Sequence, residues 1–241
     1  MKLLEVIGIE KSFGGNRVLK GVSFSMEEGE VLGVVGPNGS GKTTLINIIG
    51  GIVPQDRGKI LLEGRSIDSL PAHRRARMGL GRTFQITRLF SNLTVLENVL
   101  IPLRYGSPLP SRPQVAEEIL ELVGLAELRD RPAGSLSLAQ RKRLELARAL
   151  ALKPRVLLLD EIFAGLNPVS IREIVSLLRD LNRDRGITML LVEHVLKALF
   201  QLTRRVIVLS EGRLIFDGRP EEMANSEEVV KAYLGERYRG K

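Results

Sequence analysis

Continuous apolar runs and helical periodicities alternate along the chain. Val31–Val35 is a short valine-rich run ended by Gly36-Pro37-Asn38-Gly39, which predicts a buried strand feeding a loop. Residues 43–50 then predict a helix, stopped by Gly51 and Pro54. Residues 59–63 alternate towards a strand that Gly64 turns, while 156–159 and Thr188–Val192 are two further fully apolar runs. Such runs suit parallel strands covered on both faces. Helical patterns at 115–123, 140–152 and 169–181 lie between them, and strands alternating with helices imply an α/β layered fold. Residues 1–12 predict a first strand, because Glu5 and Glu10 interrupt the apolar pattern and no small-residue cleavage site follows.

The middle of the chain breaks the alternation. From 87 to 152 no buried strand is evident, only helical segments broken by Pro102, Pro108, Pro110, Pro113 and Pro132. The expected organisation is therefore a single domain over 1–241. Its core comes from 1–86 and 152–241, and 87–151 form an inserted helical subdomain. Residues 220–234 predict two short helices ending at Gly235. No fixed-period repeat or low-complexity tract interrupts this plan.

Composition changes the picture only at its edges. The 241 residues are 44% apolar and 27% charged, which excludes a largely disordered chain. No cysteine occurs, so disulfides, thiolate catalysis and cysteine metal sites are excluded. The longest run without a charge is 43–55, too short and too polar for a membrane-spanning helix of about 20 residues. The net charge of +8 is concentrated at 65–88 and 141–155. Basic clusters attract nucleic-acid backbones, but the chain has three tyrosines, seven phenylalanines and no tryptophan, and the clusters lack interleaved aromatics that stack bases. Nucleic acid is not an expected partner.

Two motifs carry chemistry. Gly36-Pro37-Asn38-Gly39-Ser40-Gly41-Lys42-Thr43 fits the phosphate-binding pattern G-x-x-x-x-G-K-[ST], with an apolar strand before it and a helix after it. Backbone N–H groups of such a loop surround phosphate oxygens at a helix N-terminus. Lys42 reaches the terminal phosphates, and the Thr43 hydroxyl is a candidate ligand for Mg²⁺, with Thr44 adjoining it. The run 156–159 ends in Asp160 and Glu161. In nucleotide hydrolases the first carboxylate of such a pair holds Mg²⁺, and a following glutamate polarises the attacking water.

With these motifs the chain resembles the ATP-binding-cassette ATPases over nearly its whole length. Leu136-Ser137-Leu138-Ala139-Gln140 stands twenty residues before Asp160, where that family has its L-S-G-G-Q signature. Gln85 occupies the place of the lid glutamine that contacts Mg²⁺ and the attacking water. Ala164-Gly165-Leu166-Asn167 lies where the family has a dimer-contact loop, His194 where it has a switch histidine, and Phe13 where an aromatic stacks on adenine. The resemblance implies a P-loop nucleoside triphosphate hydrolase core, a mixed sheet with an antiparallel β region and an inserted helical subdomain. It also implies ATP and Mg²⁺ as cofactors. Glu161, His194 and Gln85 are the candidate catalytic residues. Ser137, Ala139 and Gln140 are expected to complete a nucleotide held by another copy. Two departures stand out: Leu138 and Ala139 replace the signature glycines, and Ile162 replaces the proline that usually follows the glutamate.

Cassette ATPases of DNA repair insert long coiled coils between the phosphate loop and the signature. Here only 45–135 separate them, without sustained heptads. Within transporters, Gly81-Arg82-Thr83-Phe84-Gln85, Leu93-Thr94-Val95-Leu96-Glu97-Asn98-Val99, Val192-Glu193-His194 and Ala232-Tyr233-Leu234-Gly235-Glu236 resemble the importers of branched-chain amino acids. The lipopolysaccharide-export ATPases share that ending. The resemblance implies transmembrane permease subunits, a second ATPase subunit and, indirectly, a substrate-binding protein as partners. It places the chain in the cytoplasm, on the inner face of the cell membrane. Residues 86–100 are expected to touch the membrane partner.

Overall fold

The computed structural model describes residues 2–84 and 89–234. Chain order is β1 (Lys2–Phe13), β2 (Asn16–Glu27), β3 (Val31–Val35), α1 (Lys42–Ile49), β4 (Arg57–Leu62), β5 (Arg65–Ser66), α2 (Ala72–Arg77) and β6 (Leu80–Arg82). The helices α3 (Val95–Tyr105), α4 (Pro113–Leu122) and α5 (Leu138–Leu150) follow, then β7 (Val156–Asp160), α6 (Pro168–Arg185), β8 (Thr188–Val192) and α7 (Leu196–Leu199). The chain closes with β9 (Arg205–Ser210), β10 (Arg213–Gly218), α8 (Pro220–Met223) and α9 (Glu227–Leu234).

Two sheets form. One is antiparallel, in the order β2-β1-β4-β5; the other runs β10-β9-β3-β8-β7-β6 and is parallel except where β10 pairs with β9. The continuous apolar runs have a simple cause. Alternate side chains leave opposite faces of a strand, and both faces of the larger sheet are covered. Val34, Leu158, Leu190, Ile207 and Leu209 share one core with α1 and the antiparallel sheet. Val35, Leu157, Leu159, Leu191 and Val208 share the other with α3 to α6. Helix α1 is buried between the two sheets, with Leu45, Ile46, Ile48 and Ile49 inward.

Three differences from the sequence reading are informative. Strands β2, β9 and β10 were not read from the sequence, although β9 holds the buried apolar run 206–209 and β2 alternates with Val22, Phe24 and Met26 buried. Pro102 does not break a helix but lies inside α3. It removes one donor, yet the turns before it are already secured by the Thr94–Glu97 capping box, and only three residues follow it. The 140–152 helix begins earlier, at Leu138, because Ser137 and Gln140 form a second capping box.

Candidate functional site

The phosphate loop joins β3 to α1 and is shaped by what surrounds it. Gly36 has φ 151°, and a Cβ there would lie 2.0 Å from the Leu209 carbonyl oxygen. Gly41 has φ 105°, and its Cβ would meet a Leu19 methyl at 2.7 Å. Only glycine fits both conformation and space. The loop is further held where Ser40 accepts the Gly212 N–H at 3.1 Å. The Lys42 side chain folds back, donating to the Gly36 carbonyl at 2.7 Å and the Pro37 carbonyl at 3.0 Å. Lys42 is 5% exposed. Burial pushes its pKa down, against the opposing pull of Glu161 and Asp160. A cation shielded from water interacts strongly with a phosphate brought beside it. Thr43 is exposed and Thr44 half-buried in the first turn of α1.

Asp160 ends β7 opposite Val192 and is 1% exposed. Burial raises its pKa, and the Arg82 guanidinium, 3.5 Å from Oδ2, opposes that shift. Its Oδ1 is buried with no hydrogen-bond partner. An orphaned carboxylate oxygen at a strand end, close enough to act on Lys42 of the phosphate loop, fits a Mg²⁺ ion that keeps most of its waters. Among the described residues no group of three or more His, Asp or Glu could hold a metal ion by itself.

Glu161 turns the chain out of β7 with φ 51°, an uncommon conformation for a non-glycine residue and one that concentrates at functional sites. Its N–H donates to the Val192 carbonyl at 2.9 Å, and its own carbonyl accepts from Lys142 Nζ at 3.2 Å. His194 Nε2 lies 3.3 Å from Glu161 Oε1. The two residues the sequence singled out from different strands are thus brought together. Phe13 stands 49% exposed at the end of β1, with Lys11 Nζ 5.2 Å from its ring centroid. Its hairpin partner β2 runs against the phosphate loop through Val18 and Leu19.

The signature residues sit apart. Ser137 and Gln140 hydrogen-bond each other across the start of α5, Oε1 of Gln140 accepting the Ser137 N–H at 2.9 Å. Ala139 is helical, and neither it nor Leu138 has positive φ. Leu138 is 45% exposed, with a methyl 3.0 Å from where a Cβ on Gly165 would lie. Among the described residues no hydrogen bond joins Ser137, Ala139 or Gln140 to the phosphate loop. Gln85 and residues 86–88 lie outside the described residues. Just before them, the Phe84 N–H donates at 2.7 Å to Glu145 of α5. Just after them, the buried Asn98 holds Phe90 by both its N–H and its carbonyl.

Three contributors were missed in the sequence. Buried Arg75 donates to the last carbonyls of α1, Ile48 and Ile49, both at 2.8 Å, so one arginine of the 65–88 cluster is structural. Glu193 is buried, and burial pushes its carboxyl up to about 7. Tyr233, from α9, is 44% exposed and lies near Gly36, and partial burial raises its pKa. A glutamate immediately after an apolar strand was the one signal that could have flagged Glu193.

The pattern of the ABC transporter family matches residues 19–164, and that of the branched-chain amino acid ATP-binding cassette transporters matches 213–239. The chain is 37% identical to the lipopolysaccharide export system ATP-binding protein LptB of Haemophilus influenzae, over 99% of this chain and all of that one. It is 38% identical to the high-affinity branched-chain amino acid transport ATP-binding protein BraF of Pseudomonas aeruginosa, over 97% and 98%. Among solved structures it is similar to an ABC transporter cassette in its ADP conformation, with TM-score 0.87, 34% identity and 98% and 99% coverage. It is also similar to a dimeric cassette bound to ADP and phosphate after hydrolysis, with TM-score 0.82, 28% identity and 90% and 99% coverage. Among the described residues no helix is long and apolar enough to cross a membrane. The chain belongs to the ATP-binding-cassette family and is the ATP-hydrolysing subunit of an ABC transporter.

Proposed function

We propose that the chain powers import of branched-chain amino acids, using two composite ATP sites formed by head-to-tail pairing with a second ATPase subunit. The observation that carries the substrate class is the match of residues 213–239 to the branched-chain amino acid cassette pattern, beside whole-length likeness to BraF. In each site Gly36 to Thr44 of one copy hold the ATP phosphates. Phe13 stacks on the adenine. Ser137, Ala139 and Gln140 of the other copy close over the γ-phosphate. Mg²⁺ would be held by Thr43, Asp160 and Gln85, and when bound it neutralises charge on the phosphates. Glu161 takes a proton from the attacking water, whose oxygen bonds to the γ-phosphorus as the bond to ADP breaks. His194, 3.3 Å from that carboxylate, orients it and faces the transferred phosphate.

Residues 86–100 touch the permease, with Phe90 exposed and Leu89 packed on the helical core. The chain sits on the inner face of the membrane, and the substrate-binding protein acts through the permease. A second reading, lipopolysaccharide export, is favoured by the equal likeness to LptB. Uptake of labelled leucine by cells whose only copy carries Lys42→Ala separates the two. Loss of uptake with an intact outer surface supports import; unchanged uptake with failed lipopolysaccharide delivery overturns it.

A further inference from the structure

Glu193 follows β8 directly and takes no part in the scheme above. It is 2% exposed, among the apolar side chains of Ile162, Phe163 and Val192. Its Oε1 accepts the Phe163 N–H at 3.1 Å. The residue adjoining His194 is therefore tied by its side chain to the turn behind Glu161. The turn needs such a hold. Glu161 sits at φ 51°, a conformation that persists only when its surroundings over-determine it.

We propose that Glu193 is a positioning residue for ATP hydrolysis, locking the turn behind Glu161 to the His194 loop and so setting the 3.3 Å approach of carboxylate and imidazole. The proposal rests on Glu161 and His194 being the hydrolytic pair. It separates turnover from nucleotide binding, because the phosphate loop is held by other contacts, from Gly212 to Ser40 and from Lys42 to Gly36 and Pro37.

The test uses the full chain with Glu193→Met, which keeps the size but removes the acceptor, and Glu193→Gln, which keeps an acceptor oxygen. ATP turnover, ATP affinity and the His194 ring resonance are read together. The chain has two histidines, so a His73→Gln background leaves the His194 signal alone. Expected are a kcat at least tenfold lower in Glu193→Met, ATP affinity within twofold of wild type, and a displaced His194 resonance. Glu193→Gln should keep at least a third of kcat and a resonance near the wild-type position. Wild-type kcat in Glu193→Met, a matching loss of ATP affinity, or equal loss in both variants would overturn the proposal. Should Glu193→Met not fold, Glu193→Ala takes its place with the same expected losses beside Glu193→Gln, and wild-type kcat with an unmoved His194 resonance in it overturns the proposal. A Glu161→Gln control as fast as wild type would instead remove the hydrolytic pair and leave Glu193 unjudged by kcat, with the resonance still reporting whether it holds His194.

Discussion

The two ends of the proposed nucleotide site are built in opposite ways. At the phosphate loop, every constraint is internal: glycines pressed against Leu209 and Leu19, and a buried Lys42 already aimed by backbone carbonyls. At the signature, the side chains of Ser137 and Gln140 accept each other's backbone N–H, and Leu138 presents an exposed leucine beside Gly165. One half is complete within a chain. The other is a helix start with exposed groups, as expected of a surface completed by another copy. Preorganised donors lower a barrier because they need no rearrangement at the moment of reaction, so the phosphate-loop half should dominate binding and the signature half should govern closure.

The largest effect that sharpens this contrast is Lys42→Ala. Removing the buried cation should cost several powers of ten in ATP turnover, with circular dichroism and melting temperature close to wild type. Full activity in a folded variant would contradict the assignment. Gly36→Ala comes next and acts through folding. A Cβ 2.0 Å from the Leu209 oxygen forces strand and loop apart, so stability should fall by about 2 kcal/mol or more and ATP affinity with it. A denaturant midpoint equal to wild type would show that the loop is not held as described.

Glu193 supplies a pH-dependent comparison. Burial raises its carboxyl to about 7, with Glu161 adding to the shift and the Phe163 hydrogen bond opposing it. The raised value means the fold favours the protonated form, so this stability is fully present below the unfolded value near 4.5 and is lost as pH rises through about 7. The loss amounts to roughly 3 kcal/mol. The melting temperature of wild type relative to Glu193→Gln should therefore fall between pH 5 and pH 8; parallel curves would contradict it. The smallest effect belongs to the signature. Ala139→Gly should raise turnover a few-fold at high protein concentration by letting the opposing nucleotide approach more closely, while leaving ATP affinity of the monomer unchanged. A drop in monomer affinity would place Ala139 in the wrong half.

Much of the core was legible because burial on both faces leaves an unmistakable apolar run. Thr188–Val192 was read with its observed bounds, and 156–159 missed only Asp160. The hairpin partner β2 was passed over although Val22-Ser23-Phe24-Ser25-Met26 alternates with the period of a half-buried strand, because only continuous apolar runs were followed there. Pro102 misled because helix breaking depends on where in a helix a proline falls. For the site, the loop and Asp160-Glu161 announce themselves as contiguous motifs. Glu161 and His194 could be paired only through family resemblance, since 33 positions separate them. Arg75 and Glu193 act through backbone groups distant in sequence, and backbone partners leave no sequence pattern to read.

The claim that the signature half is completed by another copy is tested most directly by Glu161→Gln with Mg-ATP on a sizing column. The variant should bind ATP, lose turnover and migrate at twice the monomer mass only when ATP is present, with higher yield when the second ATPase subunit is added. A variant that stays monomeric with and without that subunit, yet turns over ATP at the wild-type rate, would contradict both the composite site and the role of Glu161.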